Sequence, residues 1–247
     1  MWGALGGSLG MAMGFALSPL AIVTALVLVL GDNGRTRTAG FVVGWFAAVF
    51  VITGLASWIT DTADDEVAAN SARDGIDLLH LIFGILFFVL AVVTWVKRPQ
   101  HADGSELETP DDALVEDLLD REERGKAAKP TLLERIDNIG VLGALGFGLA
   151  QGVLIIKNIP LGISAGTTIG SVGMGAADTV VVLVIFSAVA SLGGLIPLVV
   201  MTFGGERVEE SLRNGRDWFE HNMTAVTLVV LVLLGGIFVG EGLGLAS

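Results

Sequence analysis

Leu154-Ile155-Ile156-Lys157-Asn158-Ile159-Pro160-Leu161-Gly162 sets one ammonium group into a stretch that carries no other charge between Asp137 and Asp178. So long an apolar stretch belongs in a bilayer, where a buried lysine is costly and is retained for function. Pro160 removes a backbone donor and opens the helix beside it. Charge, amide and helix break together mark a candidate translocation site.

The rest of the chain has the same character. Of its 247 residues 53% are hydrophobic, and the mean hydropathy is +0.75. The composition predicts an all-α, polytopic membrane protein. Its 34 glycines suit helices that pack backbone to backbone. Met1-Trp2-Gly3-Ala4-Leu5 lacks the basic start of a cleavable signal peptide and reads as part of the first span. With no cysteine, disulfides, thiolate metal sites and thiol relays are excluded. His80, His101 and His221 lack metal-ligand spacing, and no Gly-rich loop ends in Lys-Ser/Thr. No metal, no cofactor and no ATPase are therefore expected. No nucleophile–base constellation can be assembled, so an enzyme is not expected either. The net charge of -12 lies mostly in connectors and argues against nucleic acid.

Six transmembrane helices account for the apolar runs, at about 4–30, 39–59, 76–96, 139–156 (to 170 if residues 157–170 re-enter the membrane), 177–203 and 223–243. Connectors 31–38, 97–138 and 204–222 then share one face. Of the 14 lysines and arginines, Arg73 and Lys157 alone fall elsewhere. The basic face is cytoplasmic by the positive-inside rule, which puts both termini outside the cell membrane. The chain divides into a three-helix half over 1–96, an acidic cytoplasmic linker over 97–138, and a second three-helix half over 139–247. In the linker, Leu114, Val115, Leu118 and Leu119 predict an amphipathic helix over 111–124, either a docking element or a solvated charged face.

An odd number of spans per half makes the two halves inverted relative to one another, as in many secondary transporters. Ser18-Pro19-Leu20-Ala21-Ile22 resembles Ile159-Pro160-Leu161-Gly162-Ile163, while Gly14-Phe15-Ala16-Leu17 resembles Gly146-Phe147-Gly148-Leu149 at a register nine residues away. Gly6, Gly10 and Gly14 precede one proline; Gly162, Gly166 and Gly170 come after the other. Both ladders are expected to pack closely. Paired broken helices point to a substrate site built from Ser18, Pro19, Lys157, Asn158 and Pro160. The competing reading ends the fourth span at Ile156 and lets Lys157 snorkel to the headgroups. Asp178, at the start of the fifth span, is the candidate counter-ion of Lys157 or else a helix cap. Asp77 and His80, about one turn apart, are candidates for a proton relay or for interfacial capping.

Ala16-Leu17-Ser18-Pro19, the basic turn Arg35-Thr36-Arg37, Ala39-Gly40-Phe41-Val42-Val43-Gly44-Trp45 and Lys157-Asn158 form a series. It resembles the GAP-like, or sulfolipid-addressing (Sap), integral membrane proteins of the lysine-exporter (LysE) superfamily. That resemblance implies six helices and export of envelope glycolipids or their precursors. It also implies partners among membrane lipids and larger envelope-lipid transporters or biosynthetic enzymes. Where the family often has Asn-Pro before Lys-Asn, this chain has Ile155-Ile156, and its proline comes after the pair instead. Three functions stand as expectations. The leading one is a transporter or flippase-like exporter of an amphiphilic envelope lipid; the others are a proton-coupled exporter of a small amino acid or cation, and a non-transporting scaffold for envelope-lipid machinery. The glycine ladders also allow a homodimer.

Overall fold

The computed structural model describes residues 1–62, 78–97, 139–204 and 206–244, with backbone alone at 206 and 207. The amphipathic helix over 111–124 and Asp77 lie outside the described residues. The described chain is all-helical: α1 (Trp2–Ala16), α2 (Pro19–Leu30), α3 (Gly34–Thr62), α4 (Leu78–Val96), α5 (Val141–Leu154), α6 (Asn158–Gly170), α7 (Ala176–Ala190), α8 (Leu192–Phe203) and α9 (Glu206–Gly242). Helices α3, α4 and α9 are each long and apolar enough to cross a bilayer. The pairs α1–α2, α5–α6 and α7–α8 pass the same test together, bent by 57°, 76° and 67°. With each bent pair as one span there are six crossings, and the fold is that of a polytopic membrane protein. Its outward faces are apolar, as Val51 and Leu55 of α3 and Ile82 and Ile85 of α4 illustrate.

Glycine positions fix the directions of the spans. Gly40 of α3 lies against Val141 and Leu145, Gly148 against Phe41 and Trp45, Gly152 against Ala48, Gly162 against Ile52, and Gly170 against Ser57 and Thr60. Along α3 the contacts therefore pass in order through α5 and then α6. The fourth span is bent but continues along α3; it is not a loop that turns back, and residues 158–170 belong to the span rather than to a connector. Gly7 lies against Thr168 and Gly14 against Leu161, so α1 and α6 are antiparallel. Gly84 of α4 sits against Gly235 and Val239, and Gly235 against Phe88, so α4 and α9 are antiparallel too. The first span opposing the fourth is the relation that inverted halves require.

Element boundaries correct the sequence reading in several places. Connector 31–38 shrinks to three residues, because α3 begins at Gly34. Asn33 turns the corner at φ 52°, a left-handed conformation that asparagine tolerates, and Arg37 closes the turn by donating to the Asp32 carbonyl at 2.9 Å. Connector 204–222 is mostly helix, the first part of the 37-residue α9. There Glu209–Arg213 and Arg216–Glu220 pair at i,i+4, which supports a solvated helix. The breaks favour one of the two repeat registers. Helices α2 and α6 start 139 residues apart (158 − 19), and α1 and α5 end 138 apart (154 − 16). The Pro19/Pro160 match, at 141, lies close to that offset; the Gly14/Gly146 match, at 132, does not.

Of the two expected ladders, Gly162, Gly166 and Gly170 pack on α3, whereas Gly6 and Gly10 face open space. The tightest seam joins Gly40 and Gly44 of α3 to Gly148 and Gly152 of α5, where a Cβ at Gly44 would fall on the Leu145 carbonyl and one at Gly148 on that of Phe41. Gly148→Ala should cost about 1–3 kcal/mol through overpacking. Thermal unfolding of the purified protein in detergent checks this, with exposed Gly146, which has open space around it, as the neutral alanine control.

Candidate functional site

Ser18 precedes a proline, and the clash with the proline ring disfavours the helical conformation there. It is extended at φ -74°, ψ 111°, with Pro19 opening α2. Its N–H donates to the Phe15 carbonyl at 3.2 Å, which leaves the Gly14 carbonyl without the N–H that a continuous helix would supply. The Lys157 ammonium takes that place, donating to Gly14 O at 2.8 Å. The cation thus sits at the C-terminal end of α1, where the carbonyls carry the negative end of the helix dipole.

Lys157 itself stands at the second break, as the residue preceding α6, and is only 4% exposed. It does not snorkel to a headgroup region. Ile155 is extended and ends α5. Asn158 caps the broken end: its Nδ2 donates to the carbonyls of Gln151 and Gly152 at 3.3 and 3.1 Å, and its Oδ1 accepts from Lys157 at 3.3 Å. Gln151 donates through Nε2 to Thr24 Oγ1 at 3.0 Å, tying in α2. Its Oε1 is buried with no hydrogen-bond partner among the described residues. Pro160 is the third residue of α6, where a helix has no acceptor for an N–H in any case. The chain therefore breaks at 155–157, upstream of the proline, and the proline starts the next helix.

A third break lies at Ser191, within the run read from sequence as one span over 177–203. Its signals were Ser191-Leu192-Gly193-Gly194 and Pro197, whose missing N–H leaves the carbonyl four residues back without its helical donor. The Trp45 indole N–H donates to the Ala190 carbonyl at 3.1 Å, and Ser191 Oγ donates to Ser187 O at 2.7 Å. Gly193 lies directly against the Ala16 carbonyl, so this break and the first one touch. A cavity of about 10 Å³ sits between them, lined by Phe15, Trp45 and Gly193 among others, and is at the lower limit for one water.

The sequence-named residues thus divide. Ser18, Pro19, Lys157, Asn158 and Pro160 come together at two adjoining breaks, with Gln151, Thr24, Trp45 and Ser191 added. Ser18 is buried but makes no side-chain cap. Asp178 is exposed in the first turn of α7, and no ion pair joins it to Lys157. The Phe186 ring of the same helix packs edge-on against Phe15 at 6.1 Å, level with the first break. Asp178 stands eight residues earlier, about 12 Å along the axis, too far to serve as counter-ion. A first-turn carboxylate suits the helix dipole instead.

His80 belongs to a separate cluster. Its Nε2 lies 2.5 Å from Ser164 Oγ of α6 and 3.5 Å from Glu241 Oε2 of α9, and its ring packs against Phe238 at 5.4 Å. Hydroxyl and carboxylate share one ring nitrogen, unlike a catalytic triad, in which they engage opposite nitrogens.

A family model described as Sap, sulfolipid-1-addressing protein, matches residues 9–244. No curated protein and no solved structure matches the chain significantly.

Asn158→Ala removes the donor to both carbonyls at the end of α5. It should lower stability by about 1–3 kcal/mol, the cost of a buried unsatisfied group. Thermal unfolding in detergent reads the loss, and amide hydrogen exchange should rise locally between Leu154 and Leu161.

Proposed function

The chain belongs to the sulfolipid-1-addressing protein family, and from that premise we propose that it carries an anionic envelope lipid across the membrane, with the two adjoining breaks as the site that receives the head group. The single observation that carries this reading is the buried Lys157 ammonium held at the meeting point of α1 and α6. Around it stand the amides of Asn158 and Gln151, the hydroxyl of Thr24, and backbone carbonyls. Such a set offers one positive charge and several hydrogen-bonding groups, which complement a sulfated or otherwise anionic, hydroxyl-rich head. Lys157 changes partners in this scheme: it leaves Gly14 O for the arriving anion, and the Gly14 carbonyl is the placeholder that keeps the charge satisfied between cycles. Acyl chains remain in the lipid outside the apolar helix faces, so only the polar part has to enter the bundle.

The ammonium, amides and hydroxyl hydrogen-bonded around the breaks suit an anionic, hydroxyl-rich head group.

Lys157→Met keeps the length of the side chain and removes the charge. Envelope lipids from cells carrying the variant should show at least about tenfold less of the exported species, the worth of one charge-assisted hydrogen bond, with the protein still present in the membrane fraction. Lys157→Arg should restore part of the activity. An unchanged surface-lipid profile in Lys157→Met at normal protein levels overturns the assignment.

A further inference from the structure

Helix α4 packs along α9 over most of its length and meets α6 over only a small area. Within that area the Ser164–His80 contact, at 2.5 Å, is a polar link between the α4–α9 pair and α6. The same ring nitrogen faces Glu241 of α9 at 3.5 Å; the two side chains are 12% and 30% exposed, so the group is sheltered but not sealed. Ser164 lies seven residues beyond Lys157, which on a helix puts both on one face, about 10 Å apart. Buried Leu161, packed at Gly14, lies between them.

The contacts to Ser164 and Glu241 favour different states of the imidazole, the neutral Nδ1–H tautomer and the protonated ring. With Nε2 unprotonated, the Ser164 hydroxyl donates to it, and its lone pair opposes the Glu241 carboxylate. With the ring protonated, Nε2–H is a cationic donor, and the carboxylate attracts it more strongly than a hydroxyl does. One proton therefore shifts the ring's hydrogen bond from α6 toward α9. Other charged groups among the described residues of these helices are remote. Just before α6 there is Lys157, two turns back from Ser164; on α9 the ion pairs at Glu209–Arg213 and Arg216–Glu220, and His221, lie twenty or more residues before Glu241.

We infer that His80, Ser164 and Glu241 form a proton-binding site that controls how the α4–α9 pair is fastened to α6, the helix whose start carries Lys157. The inference rests on the carrier reading only for its consequence, proton control of lipid movement; the proton site itself is tested separately. First, the full-length protein with His101→Asn and His221→Asn, in nanodiscs, leaves His80 as the sole imidazole for nitrogen-detected NMR. Its ring signals should pass from neutral to protonated positions as the pH of the titration falls, and Glu241→Gln should displace that transition. A ring that stays in one state across the range, or a transition that Glu241→Gln leaves in place, overturns the site. Second, movement of a fluorescent phosphatidylglycerol in proteoliposomes should change by about fivefold or more across the same range, a typical coupling between linked sites. His80→Gln, which retains a hydrogen-bonding amide but cannot titrate, should flatten the profile; a variant profile identical to that of the wild type overturns the coupling. If the wild type moves no lipid while His80 titrates as described, the carrier reading fails and the proton site stands.

Discussion

The bond from the Lys157 ammonium to the Gly14 carbonyl, at 2.8 Å, holds together two facts that are each unfavourable alone. A charge at membrane depth needs a partner, and a broken helix leaves a carbonyl without its N–H; in hydrocarbon either need left unmet costs several kcal/mol. Joined, they satisfy one another, and the two halves of the chain are fastened at their breaks. Trp45 repeats the principle at Ala190, and Asn158 at Gln151 and Gly152. Each of the three bent spans thus has a polar side chain reserved for the carbonyls its bend exposes.

Much of this was legible in the sequence because it rests on residues with few alternatives. Proline disfavours the helical conformation in the residue before it, so Ser18-Pro19 marked the first break. An isolated lysine in apolar surroundings had to find a partner, so Lys157 stood out. The second break was placed less well: Pro160 initiates a helix, and nothing local distinguishes a proline that ends one helix from a proline that begins the next. The break at Ser191 was missed because a run of apolar residues gives the same periodicity whether straight or bent. For Asp178 the sequence left counter-ion and helix cap both open, because sharing a face of the membrane says nothing of depth within it. The pairing of His80 with Ser164 and Glu241 joins residues 84 and 161 positions apart, a contact that only the packed bundle creates.

The seam between α3 and the fourth span matters as much as the polar cluster. Gly40, Gly44, Gly148 and Gly152 bring backbones into contact through the first part of that span, and Gly162, Gly166 and Gly170 continue it beyond the bend. An unbroken helix therefore supports a bent one on both sides of its bend, and the 76° turn at Lys157 is held by α3 as well as by its own hydrogen bonds. Packing of this kind is sterically intolerant, which is why these glycines, unlike Gly6 and Gly10, have no room for a side chain.

Helix α9 has a mechanical consequence. Its 37 residues extend over about 55 Å, nearly twice the hydrocarbon thickness, without a break. One end is a solvated, ion-paired rod and the other carries Glu241. In a bundle where three of six spans are bent, this one joins its two ends through unbroken helix, so a change of tilt at one end also moves the other.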